Sequence, residues 1–402
     1  MGISNSHSIS KPTHGATLAD GIRPRTKSSQ LIEMSWFAPI CSDDFEFLGY
    51  PESRLKSSWA HTSKIGLEAE AQGFNNMLCP SSYQVGQDTL SFAAAMAPQL
   101  RKMSLLAAVR CGEVHPVMLA RTIATLDHIL EGRLTINIIS SDLPGETLDS
   151  KIRYAKSREV CKILRQCWTR DEINFSGDFW KLKLPTTPSL PYQQNGGPLL
   201  YFGGLSPDAL DLCAEECDVF LMWPETEDRL IHHMQEMTRR AEGYHRSVDF
   251  GLRIHLIVRE TESEAREAAQ KLMSKLDEDL GSEIRGRALD AKSFAVSKQA
   301  EMRTLADSEG YVEDILWTGI GRARSGCGCA LVGTPDQIVA KLNRYIDMGI
   351  RSFVFSGYPH LDECRLVGKY ILPRFNRGKL AEIQGRIPSA VPSTPLGAGV
   401  RK

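Results

Sequence analysis

A closed (β/α)8 barrel is the fold that the 402 residues predict, on three grounds. From Leu31 onward, short apolar runs alternate with amphipathic helical patterns, the arrangement of repeated strand-helix units around a parallel sheet. The runs number eight, which fits one closed barrel over this length. No Gly-rich dinucleotide fingerprint follows the first strand, so an open doubly wound sheet fits less well.

Strands are expected at 33–39, 75–80, 103–109, 134–140, 199–203, 219–223, 252–258 and 352–357. Helices are marked at 61–72 before Gly73, at 116–130 before Gly132, and at 263–280. Residues 31–375 therefore form the barrel domain. Residues 281–328 interrupt the pattern after the seventh strand with a polar stretch much longer than an ordinary connection. Barrel sites are built from loops at the carboxyl ends of the strands, so this insertion is expected to be a lid. Residues 1–30, with Asp20 their only acid, are expected to be a mobile arm, and 376–402 an extended tail that packs on a neighbouring subunit.

A formal net charge of -1 provides no bulk attraction to nucleic acid. No apolar run approaches the roughly 18 residues of a membrane helix. The first 30 residues lack the apolar centre of a secretory signal, and cytoplasm is the default over a mitochondrial transit peptide. The ten cysteines lack paired CxxC spacing; even Cys213 with Cys217 and Cys327 with Cys329 lack a second pair, so no metal site is expected.

The chemistry begins in GLRIHLIVRET, 251–261. Strand alternation puts Arg253 and His255 on one face and Leu252, Ile254 and Leu256 on the other. A buried arginine is costly unless it meets an anion, and its planar fork suits a sulfonate, a phosphate or a peroxy anion; a structural pair with a buried carboxylate is the competing reading. His255 is either a core histidine or, with its pKa depressed by the neighbouring cation, a proton acceptor. The run FVFSGYPHLDE, 353–363, is a further strand that delivers Tyr358 near its end. Arg324 lies in GRARSGCG at the exit of the insertion, among Gly319, Gly321, Gly326 and Gly328, either as a mobile cation that closes over the site or as a solvated loop arginine like its neighbour Arg322. In YFGGLSPD, Gly203 and Gly204 permit close approach of a ligand, and Ser206 precedes Pro207 as a helix N-cap would, where a phosphate is favoured; an ordinary strand-to-helix turn reads the same way.

The chain resembles the bacterial luciferase-like flavin monooxygenases, most closely the reduced-FMN-dependent alkanesulfonate monooxygenases. The likeness runs from about residue 34 to 375 through SWFAP at Ser35, ARTIATLDHILEGRLTINIIS from Ala120, YFGG at Tyr201, CDVFLMW from Cys217, GLRIHLIVRET, LWTGIGRARSG from Leu316, ALVGTP from Ala330 and RSFVFSGYPHLDE from Arg351. The resemblance implies a barrel that binds FMNH2 supplied by a separate NAD(P)H-dependent flavin reductase, forms a peroxyflavin with O2, and cleaves the C-S bond of an organosulfonate to sulfite and an aldehyde, in a homodimer or homotetramer. By that similarity Arg253, His255, Arg324 and Tyr358 are catalytic, and Trp36, Cys41, Trp223, Arg253 and Arg324 face the substrate. Ser140 near the isoalloxazine, Tyr154 and Ser206 near the phosphate, and Gly203, Gly204 and Trp223 would contact the flavin. Asp127 is expected to pair with a base, and His232 and His233 to be solvated. Two departures stand out: Cys41 occupies the place of a family histidine, and 80–88 lacks the family cysteine and is one residue longer. The substrate could then be larger or more polar than an alkyl sulfonate, or no sulfonate at all. A deazaflavin-dependent dehydrogenase and a non-catalytic flavin-binding protein are the rivals within the fold.

Overall fold

The computed structural model describes residues 18–83, 86–185, 190–286, 294–324 and 326–392. Its strands are β1 (Glu33–Phe37), β2 (Asn76–Cys79), β3 (Ser104–Arg110), β4 (Leu134–Ile139), β5 (Ile173–Ser176), β6 (Lys181–Leu184), β7 (Leu200–Phe202), β8 (Val219–Met222), β9 (Asp249–Val258), β10 (Tyr311–Glu313), β11 (Leu316–Trp317), β12 (Ala330–Gly333) and β13 (Ile350–Ser356). The helices are α1 (Trp59–Gln72), α2 (Thr89–Met96), α3 (Pro116–Ile129), α4 (Ser150–Thr169), α5 (Pro207–Glu216), α6 (Glu227–Gly243), α7 (Glu262–Met273), α8 (Glu278–Gly286), α9 (Phe294–Leu305), α10 (Pro335–Met348), α11 (His360–Tyr370) and α12 (Leu380–Ile383). Strands β1, β2, β3, β4, β7, β8, β9 and β13 pair in parallel in that order, and β13 returns to β1, so the expected eight-stranded barrel closes.

The alternation inferred for β9 holds throughout. Met34, Trp36, Leu105, Leu252, Ile254 and Leu256 pack outward against the helices, whereas Phe37, Leu78, Leu106, Tyr201, Val219, Leu221 and Val354 fill the barrel. Arg253 and His255, on the alternate face of β9, therefore point inward. Local sequence sets the helix ends: Gly73 ends α1 in the left-handed region at φ 89°, and Ser206 caps α5 with Pro207 in its first turn.

Several elements depart from the sequence reading. The helix expected at 263–280 is two, α7 and α8. An antiparallel hairpin, β5 with β6, follows α4. In the insertion, where 287–293 and 325 lie outside the described residues, α8, α9, β10 and β11 lead into β12, which pairs with the upper half of β9 beyond the end of β8, Ala330 opposite His255. Strand β9 can serve both neighbours because it is ten residues long.

The described parts of both termini also pack on the barrel. Ile22 is in the core, and Thr26 donates through its backbone N-H and its hydroxyl to Asp249. In the tail, the Leu380 N-H donates to Glu33, Gln384 to Asp249, and Arg386 to Asp218 at 2.9 Å and to the Gly197 carbonyl at 3.0 Å. The expectation of an extended tail is thus corrected as far as residue 392. Unpaired carboxylates at the amino ends of β1, β8 and β9 would be costly to bury, and the tail supplies their donors.

Candidate active site

The carboxyl ends of the barrel strands gather the functional side chains. Arg253 is 6 % exposed, and its guanidinium lies 4.1 Å from the centre of the Phe37 ring, which β1 delivers. Arg324 stands 5.8 Å from the same ring and donates to the Tyr358 hydroxyl. Phe37 is thus an aromatic floor under two cations, a role the sequence offered only within SWFAP. The Tyr358 ring stacks on His255, centroids 5.4 Å apart and 23° between planes. The structure therefore brings together all four residues that the resemblance marks as catalytic.

His255 is fully buried, with Nδ1 and Ser356 Oγ sharing a hydrogen bond of 2.9 Å, while Nε2 has no hydrogen-bond partner. Burial first, then the charges of Arg253, Arg324 and His360, hold its pKa well below the usual histidine range, against a backbone contact from Cys327. It is a neutral imidazole at physiological pH. The Cys327 thiol, raised by burial, donates to the Arg253 carbonyl at 3.3 Å, tying the loop that carries Arg324 to β9.

Asp44 and His360 complete the wall behind Tyr358, and no sequence signal marked Asp44. The fully buried Asp44 accepts from the backbone N-H of His360 at 3.0 Å, meets His360 Nδ1 at 2.8 Å and lies 3.0 Å from His61 Nε2. It caps α11, whose own N-cap Pro359 offers no side-chain acceptor. Burial alone would raise its pKa, yet His360 and His61 hold it below the usual carboxylate range. The His360 ring meets the Tyr358 ring edge-on at 4.8 Å.

Other sequence candidates fall in three places. Trp36 packs in the helix-facing layer against Phe74, on the opposite face of β1 from Phe37. Trp223 lies against the insertion: a Cβ on Gly326 would come within 3.5 Å of its indole. Cys41 is half-buried, donates to the Pro80 carbonyl at 3.1 Å, and has its pKa pushed up to about 12 by burial. On the side of β4 and β7, Ser140 Oγ is buried without a partner, and the Tyr154 ring packs edge-on to Phe202 at 6.2 Å, beside α5. Ser206 Oγ accepts from the Ala209 N-H at 3.4 Å. The room that Gly203 leaves is taken by the chain itself, since a Cβ there would stand 2.7 Å from the Leu221 carbonyl; one on Gly204 would meet Ala209 at 2.9 Å. Asp127 pairs with no base: it accepts from Gln193 at 2.8 Å through both N-H groups, and burial pushes its pKa up to about 7. His233 sits 3.4 Å from Glu225, and Arg322 is half-buried where a solvated side chain was expected.

Sequence reasoning passed over Arg110. It ends β3 on the inward face, 3 % exposed, and donates to Ser141 Oγ and, at 3.4 Å, to the Asp142 carbonyl. A terminal arginine in the apolar run SLLAAVR was its only signal.

A closed parallel barrel with buried cations, a phenol and a neutral imidazole at the carboxyl ends of its strands has the make-up of a barrel enzyme. The luciferase-like monooxygenase family model matches residues 33–352, and the chain belongs to that family: it is a monooxygenase. Among characterised relatives, it is 58 % identical over 370 residues to a sulfoquinovose monooxygenase of Agrobacterium fabrum, covering 92 % of this chain and 96 % of that protein. It is 51 % identical over 360 residues to a sulfoquinovose monooxygenase of Novosphingobium aromaticivorans, covering 88 % and 99 %. Among solved structures, a long-chain alkane monooxygenase superposes with a TM-score of 0.70 at 16 % identity, over 92 % of this chain and 96 % of that one, a likeness of fold.

Proposed function

We propose that the protein is a two-component, FMNH2-dependent monooxygenase that cleaves the C-S bond of a sulfonated sugar, sulfoquinovose or a close analogue. The observation that carries this reading is the pair of guanidinium groups, Arg253 and Arg324, over the single Phe37 ring. Two like charges held together by a low-polarity floor are stabilised by an anion between them, and a sulfonate offers three oxygens to their planar donors. The names of the two close relatives point to the same substrate.

A flavin fits the remaining wall. Ser140 Oγ at the end of β4 is buried and lacks a partner, which a heteroaromatic ring with donors and acceptors along its edge would supply. The capped start of α5, with Tyr154 alongside, suits a single phosphate. When bound in reduced form, FMN supplies the two electrons that activate O2. Over the whole reaction one oxygen atom enters the aldehyde and the other leaves as water, with sulfite released and the flavin oxidised. Arg253 and Arg324 hold the sulfonate and stabilise the departing sulfite, while Tyr358, with its hydroxyl bound to Arg324, fixes that arginine's direction. With its Nδ1 engaged by the Ser356 hydroxyl, His255 presents the unpartnered Nε2, which in the Nδ1-protonated tautomer accepts a proton from the carbon next to sulfur.

The insertion acts as the cover that keeps water from the reacting groups. Gln299 of α9 supports this: its amide donates to the Pro224 carbonyl at 2.7 Å, next to Trp223, and accepts from the Gly328 N-H at 3.1 Å, in the loop that bears Arg324. A separate NAD(P)H-dependent reductase supplies FMNH2, and the protein works in the cytoplasm as a homo-oligomer.

Sulfite release decides the matter, measured with FMN, NADH or NADPH, a flavin reductase and O2 over sulfonates from methanesulfonate to sulfoquinovose. Release from the sulfosugar that depends on reductase and O2 is expected. The protein should purify largely colourless, since FMN binds reversibly through one phosphate anchor. Oxygen-independent turnover with a deazaflavin, or no sulfite from any sulfonate, overturns the reading.

A further inference from the structure

The mouth has a third guanidinium, buried on the wall opposite the first two. In barrel order β3 is the third strand and β9 the seventh, four places round a ring of eight, so Arg110 faces Arg253 and His255 across the opening. One end of its side chain is fastened: Nη1 donates to Ser141 and to the Asp142 carbonyl in the loop after β4, and the guanidinium lies 5.6 Å from the ring of Tyr83 in the loop after β2. The other end is not. Its Nε is buried without a hydrogen-bond acceptor, although such groups are almost always satisfied. On the neighbouring strand the Oδ1 of the inward-facing Asn137 is in the same condition, two residues from Ile139, the register partner of Arg110. A buried donor and a buried acceptor on adjacent strands, both facing the lumen, ask for a group that both gives and takes a hydrogen bond, which is what a hydroxyl does.

The surroundings of Arg110 indicate whose hydroxyl it is. The loops that reach it are those in which this chain departs from the alkanesulfonate pattern, with Cys41 after β1 and Tyr83 after β2. We infer that Arg110, with Asn137, forms a hydroxyl-recognising subsite that selects sulfonates carrying a polyhydroxylated body over those with an alkyl chain. The inference rests on the sulfonate reading above and deepens it: Arg253 and Arg324 take the anionic pole, and Arg110 takes the far end of the same molecule. With Nη1 fastened to the loop after β4, the buried Nε is held in a set position, so Arg110 reads position and not charge alone.

The test compares Arg110→Met and Tyr83→Leu with the unsubstituted protein by three measurements. These are KM for sulfoquinovose in the coupled sulfite assay, Ki of hexanesulfonate against it, and the Kd of FMN from flavin fluorescence. Arg110→Met should raise KM for sulfoquinovose roughly 10- to 100-fold, the worth of a hydrogen bond from a charged donor, with Ki for hexanesulfonate and Kd for FMN within about twofold of the original. Tyr83, 41 % exposed, can be replaced without risk to folding, and Tyr83→Leu should shift the KM-to-Ki ratio in the same direction by a smaller factor. Should Arg110→Met not fold, the Tyr83→Leu ratio decides. An equal loss for both sulfonates, an unchanged ratio, or a weakened FMN Kd, which would assign Arg110 to the flavin, each overturns the inference. Absence of sulfite from the unsubstituted protein refutes the sulfonate reading and this inference with it, whereas intact sulfite release with an unchanged ratio refutes the inference alone.

Discussion

Replacing Arg324 by alanine, with Arg322→Ala as its control two residues away, tests the anion pole. Arg324 is joined to the Tyr358 hydroxyl and stands 5.8 Å and 5.9 Å from the rings of Phe37 and Tyr358. Loss of the two cation-π contacts costs about 1 kcal/mol of folding stability, a small shift in a barrel of this size. On the proposed reaction the larger effect falls on turnover, because negative charge would leave with the sulfite and Arg324 would be the donor that meets it. Removing one such donor costs about 3 kcal/mol, roughly a hundredfold in kcat/KM. Arg324→Lys keeps the charge but loses the planar fork, and should fall between the two, near tenfold. The Arg322 main-chain carbonyl accepts from Arg285, a bond that alanine preserves. Arg322→Ala leaves Arg324 beside Phe37 and Tyr358 and should retain activity within a few fold. Steady-state sulfite release for the three variants, with far-UV spectra to verify folding, reads the contrast. Equal losses in Arg324→Ala and Arg322→Ala would refute the assignment of Arg324 to the anion pole.

Three further outcomes are expected. The depressed pKa of His255 means that the folded protein binds fewer protons there than the unfolded chain, so its stability contribution is present above about pH 6.5 and is lost as the pH falls; Tm should drop more between pH 7 and 5 in the unsubstituted protein than in His255→Gln, and parallel curves would contradict this. Gln299→Ala frees the insertion from Pro224 and Gly328, and should leave the fold intact while raising the hydrogen peroxide formed per sulfite several-fold, an increase that peroxidase-coupled dye oxidation would detect or fail to detect. Asp218→Asn leaves Arg165 and Arg386 without their buried counter-ion, and should cost about 3–5 kcal/mol in denaturant unfolding, with a change under 1 kcal/mol showing that the tail docks by other means.

The barrel was legible because strands buried on both faces read as continuous apolar runs, with a glycine end signalled for α1 at Gly73, and all eight barrel strands lie where those runs stand. Arg253 and His255 were legible for the same reason, since a charge within such a run has to face the lumen. Trp36 was misplaced by the converse of that rule: its neighbour Phe37 occupies the inward position, and a motif does not reveal which of two adjacent aromatics turns in. Strand β12 was hidden because only four residues, Ala330–Gly333, pair with the upper half of β9, and nothing in ALVG separates them from a buried turn. Asp44 could not be found at all. Its partners lie 17 and 316 positions away, and a carboxylate that caps a distant helix has the same local sequence as one in a loop.

The two ends of the barrel treat buried charge in opposite ways, and the difference marks the working end. At the amino ends of the strands, Glu33, Asp218 and Asp249 are each met by several donors from the barrel and from the tail, and Arg165 and Arg386 hold the Asp218 carboxyl at about 2 although burial alone would raise it. These paired carboxylates contribute to a unique structure, although Arg386 Nε and Gln384 Oε1 beside them are buried without a partner. At the carboxyl ends the charges are mainly cations of one sign, and His255 Nε2, Arg110 Nε and Ser140 Oγ are buried with no partner. Stability gives no reason to keep like charges and unsatisfied donors in a low-polarity mouth, since each costs free energy in the protein alone. A ligand that brings an anion to one wall and hydroxyls to the other satisfies both at once, and the burial that makes the mouth costly when alone makes those contacts strong when it is filled.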